Sequence, residues 1–115
     1  MKKLYVFLAI GVLATALTYC SSAKKAARSA PKATYSTAVA PVVAASCSPC
    51  HIAGKGNKKP YDNYANVKSD IDEILKRIEL NTTDKGFMPF RRATKLSADT
   101  IAIFKKFKDD GLLEN

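Results

Sequence analysis

Cys47-Ser48-Pro49-Cys50-His51 is the stretch on which the reading of this chain turns. Two thiols stand with two residues between them, and the chain's single histidine follows at once. Four chemistries use such residues. A redox dithiol of the thioredoxin type belongs to a βαβ frame, whereas the residues around Cys47 show helical periods and no strand-like alternation. A structural zinc ion takes four ligands, and the chain adds only Cys20 to these three. A disulfide between Cys47 and Cys50 would close so small a loop that it would stabilise little. Cys-x-x-Cys-His is also the attachment signature of c-type haem. The two thiols add to the two vinyl groups on one side of the porphyrin, and the next residue presents its imidazole to the iron. Haem attachment is the chemistry these residues fit best.

Size points the same way. The chain has 115 residues, 47% of them hydrophobic and 25% charged, too apolar for a disordered protein. Much of the apolar content lies in residues 4–17, which leaves residues 38–115, without a Trp, to fold. A core of that size is marginal and calls for a staple such as a metal, a disulfide or a cofactor. The helices are expected to lack a common core without one, and a porphyrin is a large apolar body for them to pack on. A two-domain enzyme and a Rossmann-type nucleotide domain are excluded by length.

Residues 1–20 read as an export signal. Lys2 and Lys3 precede an apolar run from Leu4 to Leu17 that is shorter than the ~18–20 residues of a bilayer span. Leu17-Thr18-Tyr19-Cys20 resembles a bacterial lipobox, which would make Cys20 a lipidated first residue. Small-x-small sites at Ala14-Thr15-Ala16 and Ser21-Ser22-Ala23 suit ordinary signal peptidase instead. Residues 21–37, rich in Ala, Ser, Thr and Lys with Pro31, read as a flexible tether. The net charge of +9 sits mainly on leader and tether: residues 38–115 carry 13 basic and 10 acidic groups. A nucleic-acid partner would want its Lys and Arg on a folded face, so none is expected.

Three helical stretches follow, and the domain at 38–115 is expected to be all-α. Val39, Val42, Val43 and Ser46 share a face, with Pro41 in the first turn and Ser36 or Thr37 as cap. Ile71, Ile74, Leu75 and Ile78 keep an amphipathic period, with Ser69 as the expected N-cap. Ser97 caps a last helix from Ala98 to Asp110, which carries Ile101, Ile103, Phe104 and Phe107 and stops at Gly111.

A second axial ligand follows by elimination. His51 is the only histidine, and Met1 leaves with the signal, so Met88 is the remaining thioether. It stands in Gly86-Phe87-Met88-Pro89-Phe90, where Gly and Pro fix the loop and two aromatics are expected to shield the iron's far side. Tyr61, Tyr64, Arg91 and Arg92 are candidates for haem propionates, though packed rings and solvated charges fit them better. Gly54 and Gly56 permit the loop after His51. A backbone carbonyl near Pro60 is expected to accept the His51 Nδ1–H and fix its tautomer.

From Tyr35 to Leu113 the chain resembles a small monohaem class I cytochrome c of the bacterial kind. The haem motif, the Met88-Pro89 loop and a last helix opening at Leu96-Ser97 and closing at Phe107–Gly111 carry the likeness. The resemblance implies three to four helices around one covalently bound haem c, with Phe104 or Phe107 pressed on the face from Val39 to Val43. It departs from the family in the short distance of 37 positions from His51 to Met88. It implies an electron carrier, not an enzyme, on the periplasmic side. Redox proteins, membrane respiratory complexes among them, would be its donors and acceptors, and Cys20 its anchor. Lys55, Lys58, Lys59, Arg91 and Arg92 would steer acidic partners. The alternatives are a haem sensor or small peroxidase with a labile sixth ligand, and a periplasmic thiol-disulfide protein.

Overall fold

Helix α1 occupies residues 35–47 and is built of three turns. A π-helical turn at Tyr35–Val39 and another at Val43–Cys47 flank an α turn at Ala40–Val42. Pro41 lies in the middle of this run, not at its start. It has no N–H to give to an earlier carbonyl, and the turn before it is widened so that the Ala40 N–H reaches the Tyr35 carbonyl. Tyr35, Val39 and Val43, four residues apart, form the buried face. That face starts before Ser36, and Thr34 is accordingly the cap: its Oγ1 accepts from the Thr37 N–H at 3.3 Å. The computed structural model describes residues 31–90 and 94–115. The expected signal segment, Cys20, most of the tether, Arg91 and Arg92 lie outside the described residues.

Helix α2 spans Tyr64–Glu79, and its N-cap is Asn63, whose Oδ1 accepts from the Asn66 N–H at 3.2 Å. The expected cap, Ser69, stands a turn and a half inside instead, with its hydroxyl donated to the Asn66 carbonyl at 3.0 Å. The cause lies in packing. Val67, fully buried, extends the apolar stripe of Ile71, Ile74, Leu75 and Ile78 by one turn toward the N-terminus. Tyr64 secures that turn by donating its hydroxyl to the Leu112 carbonyl at 2.7 Å.

Helix α3, Ala98–Asp109, matches its expected caps. Ser97 Oγ accepts from the Thr100 N–H at 3.1 Å, and Gly111, at φ +98°, turns the chain out of the helix. Lys106 and Lys108 occupy the last turn, where positive charge suits the helix dipole.

Among the described residues the fold is helical, with no strand and only an isolated parallel bridge between Thr34 and Leu113. That bridge belongs to a strap between the two ends of the domain. Leu113 accepts from the Tyr35 N–H at 2.8 Å, Glu114 from the Ser36 N–H at 3.0 Å, and Asp110 Oδ2 from the Ala33 N–H at 2.6 Å. Beneath the strap α3 packs on the first turn of α1 and on α2. Phe104 and Phe107 join Val39, Val43, Val67 and Ile71 in one buried cluster. The three helices therefore share a core, contrary to the expectation from size alone. The additional turn of α2 and the strap supply the burial that the count of apolar residues did not reveal.

Candidate functional site

A cavity of about 610 Å³ opens between the end of α1, one face of α2 and the loop that carries Met88. Sites for small molecules and cofactors fall at roughly 300–1,000 Å³. Cys47, Cys50, His51 and Met88 all line it, so the structure brings the four sequence-chosen residues of the domain to one space. Val43, Ile74, Ile78, Leu96 and Phe104 supply apolar wall. Cys47 and Cys50 are thiols rather than a disulfide, the first half-buried and the second exposed.

The motif follows α1 directly. The chain leaves the helix at Ser48 in an extended conformation, and the His51 N–H returns to the Cys47 carbonyl at 3.0 Å. The imidazole is held on two sides. Its Nδ1 lies 2.8 Å from the Lys59 carbonyl oxygen, immediately before Pro60. A carbonyl only accepts, so Nδ1 carries the hydrogen, and in the neutral ring this leaves the lone pair on Nε2. The ring also stacks on Tyr61, with centroids 4.5 Å apart and planes 6° from parallel.

Both of these supports lead to Asp70. Lys59 Nζ meets Asp70 Oδ1 at 2.7 Å, and the Tyr61 hydroxyl donates to Asp70 Oδ2 at 3.2 Å. The Lys59 hydrogen bond, followed by one from the Ser69 hydroxyl, holds the Asp70 carboxyl below its ordinary pKa. Burial first, and the Asp70 charge second, push the Tyr61 phenol up to about 12. Tyr61 and Tyr64 thus spend their hydroxyls on protein partners, as packed rings do.

The loop after His51 turns on glycine. Gly56 donates its N–H to the Ile52 carbonyl at 3.1 Å, and its Cα faces the motif's backbone so closely that a Cβ would overlap the Pro49 and Cys50 carbonyl groups. Gly54, at φ +71°, makes the preceding turn.

Met88 is half-buried. Its neighbours divide: Phe87 is buried at 5% exposure, while Phe90 at 67% is the large apolar side chain most open to solvent among the described residues. Both expected shielding rings line the cavity. The loop is tied to α2 by Arg77, whose carbonyl accepts from the Met88 N–H at 3.2 Å and whose Nη1 donates to the Gly86 carbonyl at 3.4 Å. Glu73 Oε1 holds the guanidinium, at 2.7 Å from both Nε and Nη2. Arg77, Asp70 and the linking role of Lys59 escaped the sequence reading. The only trace is Glu73 and Arg77 at i, i+4, which on any helix reads as a solvated ion pair.

Among the described residues no three His, Cys, Asp or Glu side chains come together as a metal-holding group. A thioether and a porphyrin lie outside that kind of donor set. No helix among the described residues is long and apolar enough to cross a membrane. No protein-family model, curated protein or solved structure matches the chain.

Proposed function

We propose that this chain is a c-type monohaem electron carrier, exported and tethered to a membrane through Cys20. The observation that carries the reading is the convergence of Cys47, Cys50, His51 and Met88 on one largely apolar cavity. Their chemistry fits the group: two thiols for the thioether links, an imidazole with its Nε2 lone pair available, and one soft sulfur. A haem held there would supply reversible one-electron exchange, with His51 and Met88 as the residues that would hold its iron.

The residues of the chain do the rest. Lys59 and Tyr61 fix the tautomer and plane of His51. Phe87 and the apolar wall keep water from the Met88 side. Lys55 and Lys58 stand exposed on the loop after His51 and give positive charge for an acidic redox partner to approach. The tether raises the concentration of the domain beside membrane complexes. Covalent attachment is the direct test. The chain, expressed with haem-maturation machinery, should retain one haem through acidic, denaturing extraction, and Cys47→Ala with Cys50→Ala should lose it. Haem that washes out of the wild type, or survives in the double variant, contradicts the proposal. Labelled fatty acid should enter the protein and vanish in Cys20→Ser; its absence from the wild type would leave a soluble carrier.

A further inference from the structure

Asp70, Glu73 and Arg77 fall at i, i+3 and i+7 on α2, a single stripe two turns long. At one end Asp70 receives Lys59 and Tyr61, which hold the His51 ring. At the other end Glu73 fixes Arg77, and Arg77 holds the Met88 loop by its guanidinium and its own carbonyl. We propose that this stripe positions both axial ligand residues, Asp70 acting on His51 and Glu73 with Arg77 acting on Met88. The inference rests on the haem reading above and adds to it a device that sets how the two ligands are presented.

The physical case is one of rigidity. Seven residues of α-helix fix a separation of about 10–11 Å, and α2 is anchored by five buried apolar side chains on its other face. The two ligand residues sit on loops, which are otherwise the mobile parts of a fold. The stripe's own contacts, Lys59 with Asp70 and Arg77 with Glu73, are charge-assisted hydrogen bonds, the stronger kind. As exposed ion pairs these contacts add little to global stability. A role confined to the surface would therefore leave the ligands untouched, and a positioning role moves them without unfolding the protein. Gly86 reinforces the Arg77 contact: its φ is +96°, and a Cβ there would press on Arg77 Nη1 at 3.3 Å.

The test uses the haem-loaded protein and two readouts. Solvent exchange of the His51 Nδ1–H, followed by proton NMR, reports the imidazole. The carbon monoxide uptake rate of the reduced protein reports how firmly Met88 holds its place. Asp70→Asn should speed the exchange about tenfold, the loss of one charge-assisted bond, and leave carbon monoxide uptake as it was. Arg77→Ala should speed uptake about tenfold by the same reasoning and leave the exchange as it was. Glu73→Ala, which releases Arg77 without removing it, reads the same effect should Arg77→Ala fail to load haem. A variant that keeps its own readout at the wild-type rate overturns the inference. So does one that moves both readouts together, because that marks general loosening of α2. Failure of the haem reading itself shows earlier and differently, in wild-type protein that holds no covalent haem or takes up carbon monoxide without hindrance.

Discussion

The side of the domain where α1 meets α3 and the side where α2 faces the Met88 loop use similar residues to different ends. On the first, Val39 and Phe107 are wholly buried, and backbone bonds from Tyr35 and Ser36 close the strap over them. On the second, Val43, Ile74, Ile78 and Phe104 border an open volume of about 610 Å³. Cys47, His51 and Met88 are half-buried on its wall. Phe104 belongs to both sides. The polypeptide completes the first side by itself. The second side has apolar walls and converging ligand chemistry around a cavity among the described residues.

The largest effect should come from deleting a ring on the closed side. Phe107→Ala leaves a hole among fixed neighbours and should cost about 3–5 kcal/mol. Ile78→Ala removes atoms that already border open space, so in the haem-free chain its cost should fall toward the lower end of ~2–5 kcal/mol. Denaturant unfolding of both variants checks the difference, and equal costs would erase the contrast between the sides.

Gly56→Ala probes the seam between motif and loop. The added methyl needs the Pro49 and Cys50 carbonyl groups to move, for a cost of about 1–3 kcal/mol. The yield of covalently loaded protein should fall with it, and Gly56→Ala protein loading like the wild type would show that the contact yields easily. Asn63→Ala removes the cap of α2 and should cost about 1 kcal/mol. A drop in melting temperature without loss of haem is the expected pattern.

The smallest effect is a pH dependence of the strap. The hydrogen bond from Lys106, and after it the Ala33 N–H, lower the pKa of the Asp110 carboxyl from its usual 3.8. The folded state thus favours the charged form. The contribution is present above the ordinary carboxylate range and is lost as pH falls through the folded value, where the strap takes up its proton. Amide exchange at Ala33 followed against pH should quicken in that window, and Asp110→Asn should flatten the profile. A wild-type profile already flat through the acid range would separate the strap from Asp110.

How much of this was legible in the chain follows from where the information sits. The caps at Ser97 and Gly111 are local, and the structure has both; the Cys47–His51 motif is local too, and its residues lie on the cavity wall. Met88 was reached by counting donors, and the structure places it on the same cavity wall as the motif. The start of α2 was misplaced because Ser69 is as good a cap chemically as Asn63. What decides between them is the burial of Val67, which depends on α1 and α3. The strap was invisible for the same reason: Thr34 and Leu113 lie at opposite ends of the domain. Asp70 and Arg77 look like any solvated helix charges until the loops they hold are folded against them. Local chemistry was readable; contacts between distant residues were not.

Ligation by Met88 is the central claim, and the ferric absorption spectrum of the haem-loaded protein near neutral pH tests it most directly. Lys85, three residues from Met88, is a substitute donor at high pH, which sets the choice of pH. Thioether ligation gives a weak charge-transfer band toward the red end of the visible range. The account predicts this band in the wild type and its loss in Met88→Ala, together with a lower reduction potential, because the soft sulfur favours ferrous iron. A wild-type spectrum without the band, or a Met88→Ala spectrum that keeps it, would contradict the account and leave the iron open to the ligands of a sensor or a peroxidase.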